Sequence, residues 1–286
     1  MHDSVESCLP SIAVLEEVGS TNAWLMERAR AGASHGAAVR ARVQTAGRGR
    51  RAHTWSSPEG GLYLSVLIRP HVLSSQLPGL PVACALGIVS ALRDMGCSRA
   101  RLKWPNDVVV GASKLAGILT ELGQADGEPF AVCGVGVNVS EPGGVCGADA
   151  DEAGSASVAP VVPIATSAAL HPANLASCLD EGIELLSLNE MAERVRCGIV
   201  GAAEAWERDL LDRGEIAAPL AGITDAYNEC LAFRGERVSV FAVDGPAVDR
   251  GVLLGVDEWG YALVENDEGR VLRLDASQAS IRPLLG

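Results

Sequence analysis

Apolar positions recur at helical spacing over residues 20–32, where Ser20 is a candidate N-cap and Trp24, Leu25 and Ala29 share one face. A short strand-like run follows at 39–43, then a loop rich in glycine and arginine, then a second buried strand at 62–68. Residues 80–95 are alanine-rich and apolar at helical intervals, and Gly96 suits a C-terminal stop. Four further strands are expected at 101–104, 108–110, 115–122 and 130–139, with a turn at Trp104-Pro105-Asn106-Asp107. Residues 141–172 carry no aromatic and no sustained period, and read as a mobile loop. Two helices are expected at 174–187 and 189–212, the second ending near Gly214.

Beyond residue 234 the texture changes. Short alternating runs at 236–243, 250–256, 261–265 and 270–274 are separated by Asp-Gly, Trp-Gly and Glu-Gly turns, which predicts a small β-barrel. The pattern as a whole is α+β. A larger domain over 10–230 holds a mixed, largely antiparallel sheet, and a small β-barrel domain spans 234–286.

Composition narrows the functional classes. A chain of 286 residues with 48% hydrophobic content can bury a large core. Its formal net charge of -13 argues against general nucleic-acid binding, which needs clustered lysine and arginine. Eight cysteines lie scattered without a Cys-x-x-Cys pair, and the five histidines have no metal-ligand spacing, so buried thiols in a reducing cytoplasm are expected. No signal-like opening and no long apolar run suggests secretion or a membrane.

Against this acidic average, residues 28–58 hold seven arginines and no acid. At their centre, Gln44-Thr45-Ala46-Gly47-Arg48-Gly49-Arg50-Arg51 combines glycines that let backbone N–H groups approach an anion with guanidiniums that grip carboxylate or phosphate. An exposed arginine-rich turn has the same composition. Lysine sharpens the picture: the chain has two, Lys103 and Lys114, both in one short segment around the turn at 104–107. A compact ammonium can sit against a carboxylate or an α-phosphate as a point charge.

Five ordered motifs together resemble the biotin protein ligase family. They are Ser20-Thr21-Asn22, Gly47-Arg48-Gly49-Arg50-Arg51, Lys103-Trp104-Pro105-Asn106-Asp107, Lys114-Leu115-Ala116-Gly117-Ile118-Leu119 and Gly134-Val135-Gly136-Val137-Asn138. The resemblance is strong over 14–138 and weaker from 234 onward. It implies a catalytic domain similar to class II aminoacyl-tRNA synthetases followed by a Src-homology-3-like barrel. It further implies ATP-dependent activation of biotin to biotinyl-AMP, then transfer of biotin to a lysine of a biotin carboxyl carrier protein domain.

By the same resemblance, Ser20, Thr21, Asn22 and Gln44 would bind the biotin rings, although Ser20 is equally suited to capping its helix. Arg48, Gly49, Arg50 and Lys114 would hold the biotin carboxylate. Arg50, Arg51, Trp55, Asn106 and Asn138 would hold the adenylate. Lys114, Arg48, Lys103 and Asp107 would carry the chemistry, with Asp107 either positioning Mg²⁺ or helping to receive the acceptor lysine's proton. Lipoate ligases share the fold and activation chemistry but lack the Gly-Arg-Gly-Arg-Arg pattern. Family members that also repress transcription carry an N-terminal DNA-binding domain. Only 19 residues precede Ser20, so no DNA partner is expected. The chain is expected to be cytoplasmic and either monomeric or homodimeric.

Overall fold

In the computed structural model, residues 9–140, 170–242 and 245–284 are described. Most of the expected loop at 141–172 lies outside them. The first sheet has seven strands: β1 (Ala13–Val18), β2 (Ala38–Gln44), β3 (Leu62–Ile68), β4 (Arg101–Lys103), β5 (Asp107–Val110), β6 (Ser113–Ala125) and β7 (Glu128–Val137). Their spatial order is β1-β2-β3-β7-β6-β5-β4. Every pairing is antiparallel except β1 with β2, in accord with the mixed, largely antiparallel sheet read from the sequence.

Strand β3 is buried along its whole length, which explains why its apolar run does not alternate. One face of the sheet is covered by α1 (Thr21–Arg30), whose Leu25, Met26 and Ala29 pack with Val39, Leu67, Phe130 and Val132. The main core lies on the other side, beneath α2 (Leu80–Asp94) and α3 (Leu188–Arg213). The stretch Leu77–Asp94 has the length and composition of a membrane span, but α2 packs Leu80, Cys84, Ile88 and Leu92 into that core. Helices α2 and α3 meet at Gly87 and Gly198, where a methyl group added to either would strike the other's backbone.

The helix expected at 174–187 is absent. The chain turns there instead, with Gly182 at φ 81° and Asp180 accepting from the Ser98 backbone N–H and hydroxyl, and the next helix starts at Leu188. Ser187 starts α3 with a reciprocal capping box to Glu190, a stronger local signal than the apolar spacing before it. Three elements were not foreseen: β1, α4 (Thr224–Cys230) and β12 (Ala279–Pro283).

The C-terminal region forms a five-stranded antiparallel sheet from β8 (Arg237–Ala242), β9 (Ala247–Val256), β10 (Ala262–Asn266), β11 (Val271–Leu274) and β12, ordered β11-β10-β9-β8-β12. Val238, Val240, Leu253, Val264 and Ile281 turn inward and join the main core. The turn between β9 and β10 is fastened to the first sheet, since Trp104 Nε1 donates to the Gly260 carbonyl at 3.1 Å.

Candidate functional site

A cavity of about 790 Å³ opens where α1, the Gly47–Arg51 loop, the ends of β4 to β7 and the C-terminal sheet converge. Its inner end is built of neutral polar groups. Ser20 occupies the N-cap position of α1, makes no side-chain capping bond and lines the cavity. Thr21 donates from its backbone N–H and hydroxyl to Gln44 Oε1 at 2.9 and 3.0 Å, and Gln44 Nε2 donates to Ser57 Oγ at 2.8 Å. Asn22 Nδ2 donates to the Leu119 carbonyl at 3.1 Å and to Glu121 Oε2 at 2.8 Å. Ser65 Oγ, on β3, donates to Asn22 Oδ1 at 2.6 Å. Ser20, Thr21, Asn22 and Ser65 are all buried, and their partners fix which way each amide points.

The glycines around this end act as seats. A methyl group on Gly134 would collide with the Asn22 amide, and one on Gly117 or Gly136 would collide with the Trp55 indole. Trp55 therefore lies flat against β6 and β7, with the Lys114 ammonium 5.0 Å from its ring centroid. Trp55 Nε1 is buried without a protein partner.

The other end is cationic. Arg48 NH2 lies 3.3 Å from Glu121 Oε2. Arg50 NH2 donates to the Ala276 carbonyl at 2.8 Å, and Arg51 NH2 donates to the same oxygen at 2.6 Å, so the loop is held by the C-terminal sheet. Arg51 has φ 55°, a left-handed conformation that costs a non-glycine residue about 1–2 kcal/mol. Burial lowers the Arg50 guanidinium below the ordinary arginine value, with Arg51 adding to the effect. The Gly49 N–H is spent within the loop, on the His53 carbonyl at 2.7 Å, instead of pointing outward as an anion donor.

Lys103, Asp107 and Lys114 form one ionic cluster. Asp107 Oδ1 is 2.7 Å from Lys114 Nζ and its Oδ2 is 3.4 Å from Lys103 Nζ. Burial pushes the Asp107 carboxyl up, but the two ammoniums outweigh it and hold the group below the ordinary carboxylate value. Burial pulls the Lys103 ammonium down, and Asp107 only partly restores it. Both Asp107 oxygens are thus taken by ammoniums, and the described residues hold no cluster of three or more His, Cys, Asp or Glu fit for a metal. The donor set does not fit a resident Mg²⁺ at Asp107.

The expected residues Ser20, Thr21, Asn22, Gln44, Arg48, Gly49, Arg50, Arg51, Trp55, Lys103, Asn106, Asp107 and Lys114 all line this cavity. Asn138 does not. It stands just after β7, where its Nδ2 donates to the Lys114 carbonyl at 3.4 Å and its carbonyl accepts from Leu175. Sequence reading missed Ser57, Ser65 and Glu121, which orient the inner amides, and Phe241 and Arg282, which close the cavity from the C-terminal sheet. Ser65 was detectable as the one small polar side chain in a strand otherwise made of aliphatic residues and Tyr63. Arg282 had no local signal, since the Phe241 ring it stacks on belongs to another strand, β8.

The Biotin/lipoate A/B protein ligase family pattern matches residues 14–138. The biotin–[acetyl-CoA-carboxylase] ligase of Paracoccus denitrificans is 30% identical over 265 residues, covering 90% of this chain and 95% of its own length. The bifunctional ligase/repressor BirA of Escherichia coli is 39% identical over 132 residues, 46% of this chain and 41% of that protein, and BirA of Bacillus subtilis is likewise matched over 39% of its length. Biotin protein ligase from Aquifex aeolicus in complex with biotin and ATP superposes with a TM-score of 0.70 at 25% identity, covering 96% of this chain and 100% of that one. The chain belongs to the biotin protein ligase family.

Proposed function

We propose that this chain is an ATP-dependent biotin protein ligase acting on a biotin carboxyl carrier protein domain of a biotin-dependent carboxylase, in the cytoplasm. The observation that carries this reading is the two-ended cavity, with neutral, hydrogen-bonding Thr21, Asn22 and Gln44 at the inner end and Arg48, Lys114 and Lys103 at the other. A polar ring bearing a flexible carboxylate fits such a cavity, because each end satisfies groups that would be costly to bury unpaired.

In this mechanism Asn22 and its hydroxyl neighbours receive the ureido ring, and Arg48 with Lys114 draws the carboxylate toward the nucleotide. A carboxylate oxygen attacks the α-phosphorus of ATP, the bond to the β-phosphate breaks, and diphosphate leaves. Lys114 stabilises the negative charge that spreads over the phosphoryl oxygens as this happens. Trp55 walls the ring end beside Lys114, and Arg50, Arg51 and Asn106 border the phosphates. Asn138 acts indirectly, by bracing the backbone of Lys114. On this reading any Mg²⁺ would be held by the nucleotide's phosphates and not by Asp107, whose oxygens pair with Lys103 and Lys114.

In the second step an acceptor lysine amine attacks the acyl carbon of biotinyl-AMP, the bond to the AMP oxygen breaks, AMP leaves, and the proton lost by the amine passes to solvent. Asp107 lines the cavity beside Lys114. Its role is to balance Lys103 and Lys114. The test is to incubate the protein with ATP, Mg²⁺, labelled biotin and a carrier-domain fragment. Label should appear on one carrier lysine, and its absence under conditions where the carrier is a competent substrate for another ligase would sink the reading.

A further inference from the structure

We infer that Glu121 is a positioning residue that sets the chemical face Asn22 shows to the ligand and ties it to Arg48. The inference rests on the ligase reading above and deepens it. An asparagine amide is nearly symmetric in shape, so packing alone does not decide which way it points. The choice is made by its neighbours. Here Nδ2 is clamped by two acceptors, the Leu119 carbonyl at 3.1 Å and Glu121 Oε2 at 2.8 Å, while Oδ1 takes a proton from Ser65 at 2.6 Å.

Ser65 can donate or accept, so the deciding partners are the other two: turning the amide over would press its carbonyl oxygen against the Leu119 carbonyl and the Glu121 carboxylate, which can only accept. The orientation present leaves one lone pair of Oδ1 for the cavity, so Asn22 offers the ligand an acceptor and selects an N–H donor on the ring. The same Glu121 oxygen lies 3.3 Å from Arg48 NH2. One carboxylate atom therefore joins the group that reads the ring to the guanidinium that meets the ligand's carboxylate, and Gly134 leaves the room in which Asn22 is held.

The test is steady-state adenylate formation from biotin and ATP with the wild type, Glu121→Ala, Glu121→Gln, Asn22→Ala and the double variant Asn22→Ala/Glu121→Ala. Glu121→Ala should raise the KM for biotin about tenfold, the size of one lost hydrogen bond, and lower kcat far less. Glu121→Gln keeps a carbonyl acceptor for Asn22 and should return KM close to wild type. The double variant should fall clearly short of the sum of the two single effects, because Glu121 acts in large part through Asn22.

An unchanged KM in Glu121→Ala, a Gln variant as impaired as the Ala variant, or additive effects in the double variant would each overturn the inference. The second of these outcomes would place the whole effect on the charge facing Arg48. Should Glu121→Ala fail to fold, Glu121→Leu removes the acceptor while keeping volume. A wild-type protein that makes no adenylate from biotin and ATP refutes the ligase reading, and this inference with it. An active wild type with indifferent variants refutes this inference alone.

Discussion

At the scale of single residues, two lysines share one aspartate, and they should respond differently to its loss. Lys114 is partly exposed and meets Asp107 at 2.7 Å, whereas Lys103 is only 7% exposed. Lys114→Ala should leave a folded protein, because Asp107 retains Lys103, yet slow adenylate formation by about 2–4 kcal/mol of transition-state stabilisation, the cost of removing one preorganised charge. Near-normal adenylation by that variant would take Lys114 out of the reacting centre. Asp107→Asn should instead destabilise the fold, by about 3 kcal/mol at neutral pH, since it strands the buried Lys103 ammonium. The Asp107 carboxyl is depressed in the folded state, so its contribution is complete above the unfolded carboxylate value of about 4 and is lost as pH falls through the lower folded value. Urea unfolding of both proteins across pH 2–7 should show the difference closing only at the acid end. A gap of the same size at every pH would mean that the ion pair is not its source.

At the scale of elements, the helix pair α2 and α3 is defined by a contact that admits no side chain. A methyl group at Gly87 would meet the Gly198 carbonyl and the Ala202 side chain. Gly87→Ala should therefore force the helices apart and cost about 1–3 kcal/mol, read as a lowered unfolding midpoint, even though alanine is the better helix former. A stabilised variant would show that the helices can separate freely. Elements whose cause is local were legible in the sequence: β3 is found at the residues its apolar run indicated, and α2 at nearly the residues its spacing indicated. Elements whose cause is a distant partner were not. β1 is an edge strand that exists by pairing with β2, and β12 by pairing with β8. The same division holds within the cavity. Lys103 and Lys114 stand out in sequence because the chain has no other lysine, and Asp107 lies in the short segment between them, while Glu121 is one acid among many until β6 brings it beside Asn22.

At the scale of the whole molecule, the distribution of cations is lopsided: 21 arginines against two lysines, in a chain of net charge -13. Both lysines lie in the cavity, each paired with Asp107, so no lysine is available elsewhere on the protein. In the proposed reaction the protein makes a mixed anhydride that acylates amines. A lysine amine becomes nucleophilic when it loses its proton, with an ordinary pKa of about 10.4, whereas a guanidinium stays protonated and inert under the same conditions. A surface that carries its positive charge on arginine is therefore poorly labelled by the protein's own product. Charge-conserving changes at exposed sites are nearly neutral in stability, so this can be tested without harming the fold. Arg101→Lys, Arg234→Lys, Arg237→Lys and Arg270→Lys, combined and incubated with biotin and ATP in the absence of carrier, should gain biotin at the new lysines by mass spectrometry, while the wild type stays almost unlabelled. If the variant makes adenylate and its labelling stays at the wild-type level, the preference for arginine has a compositional origin and gives no protection.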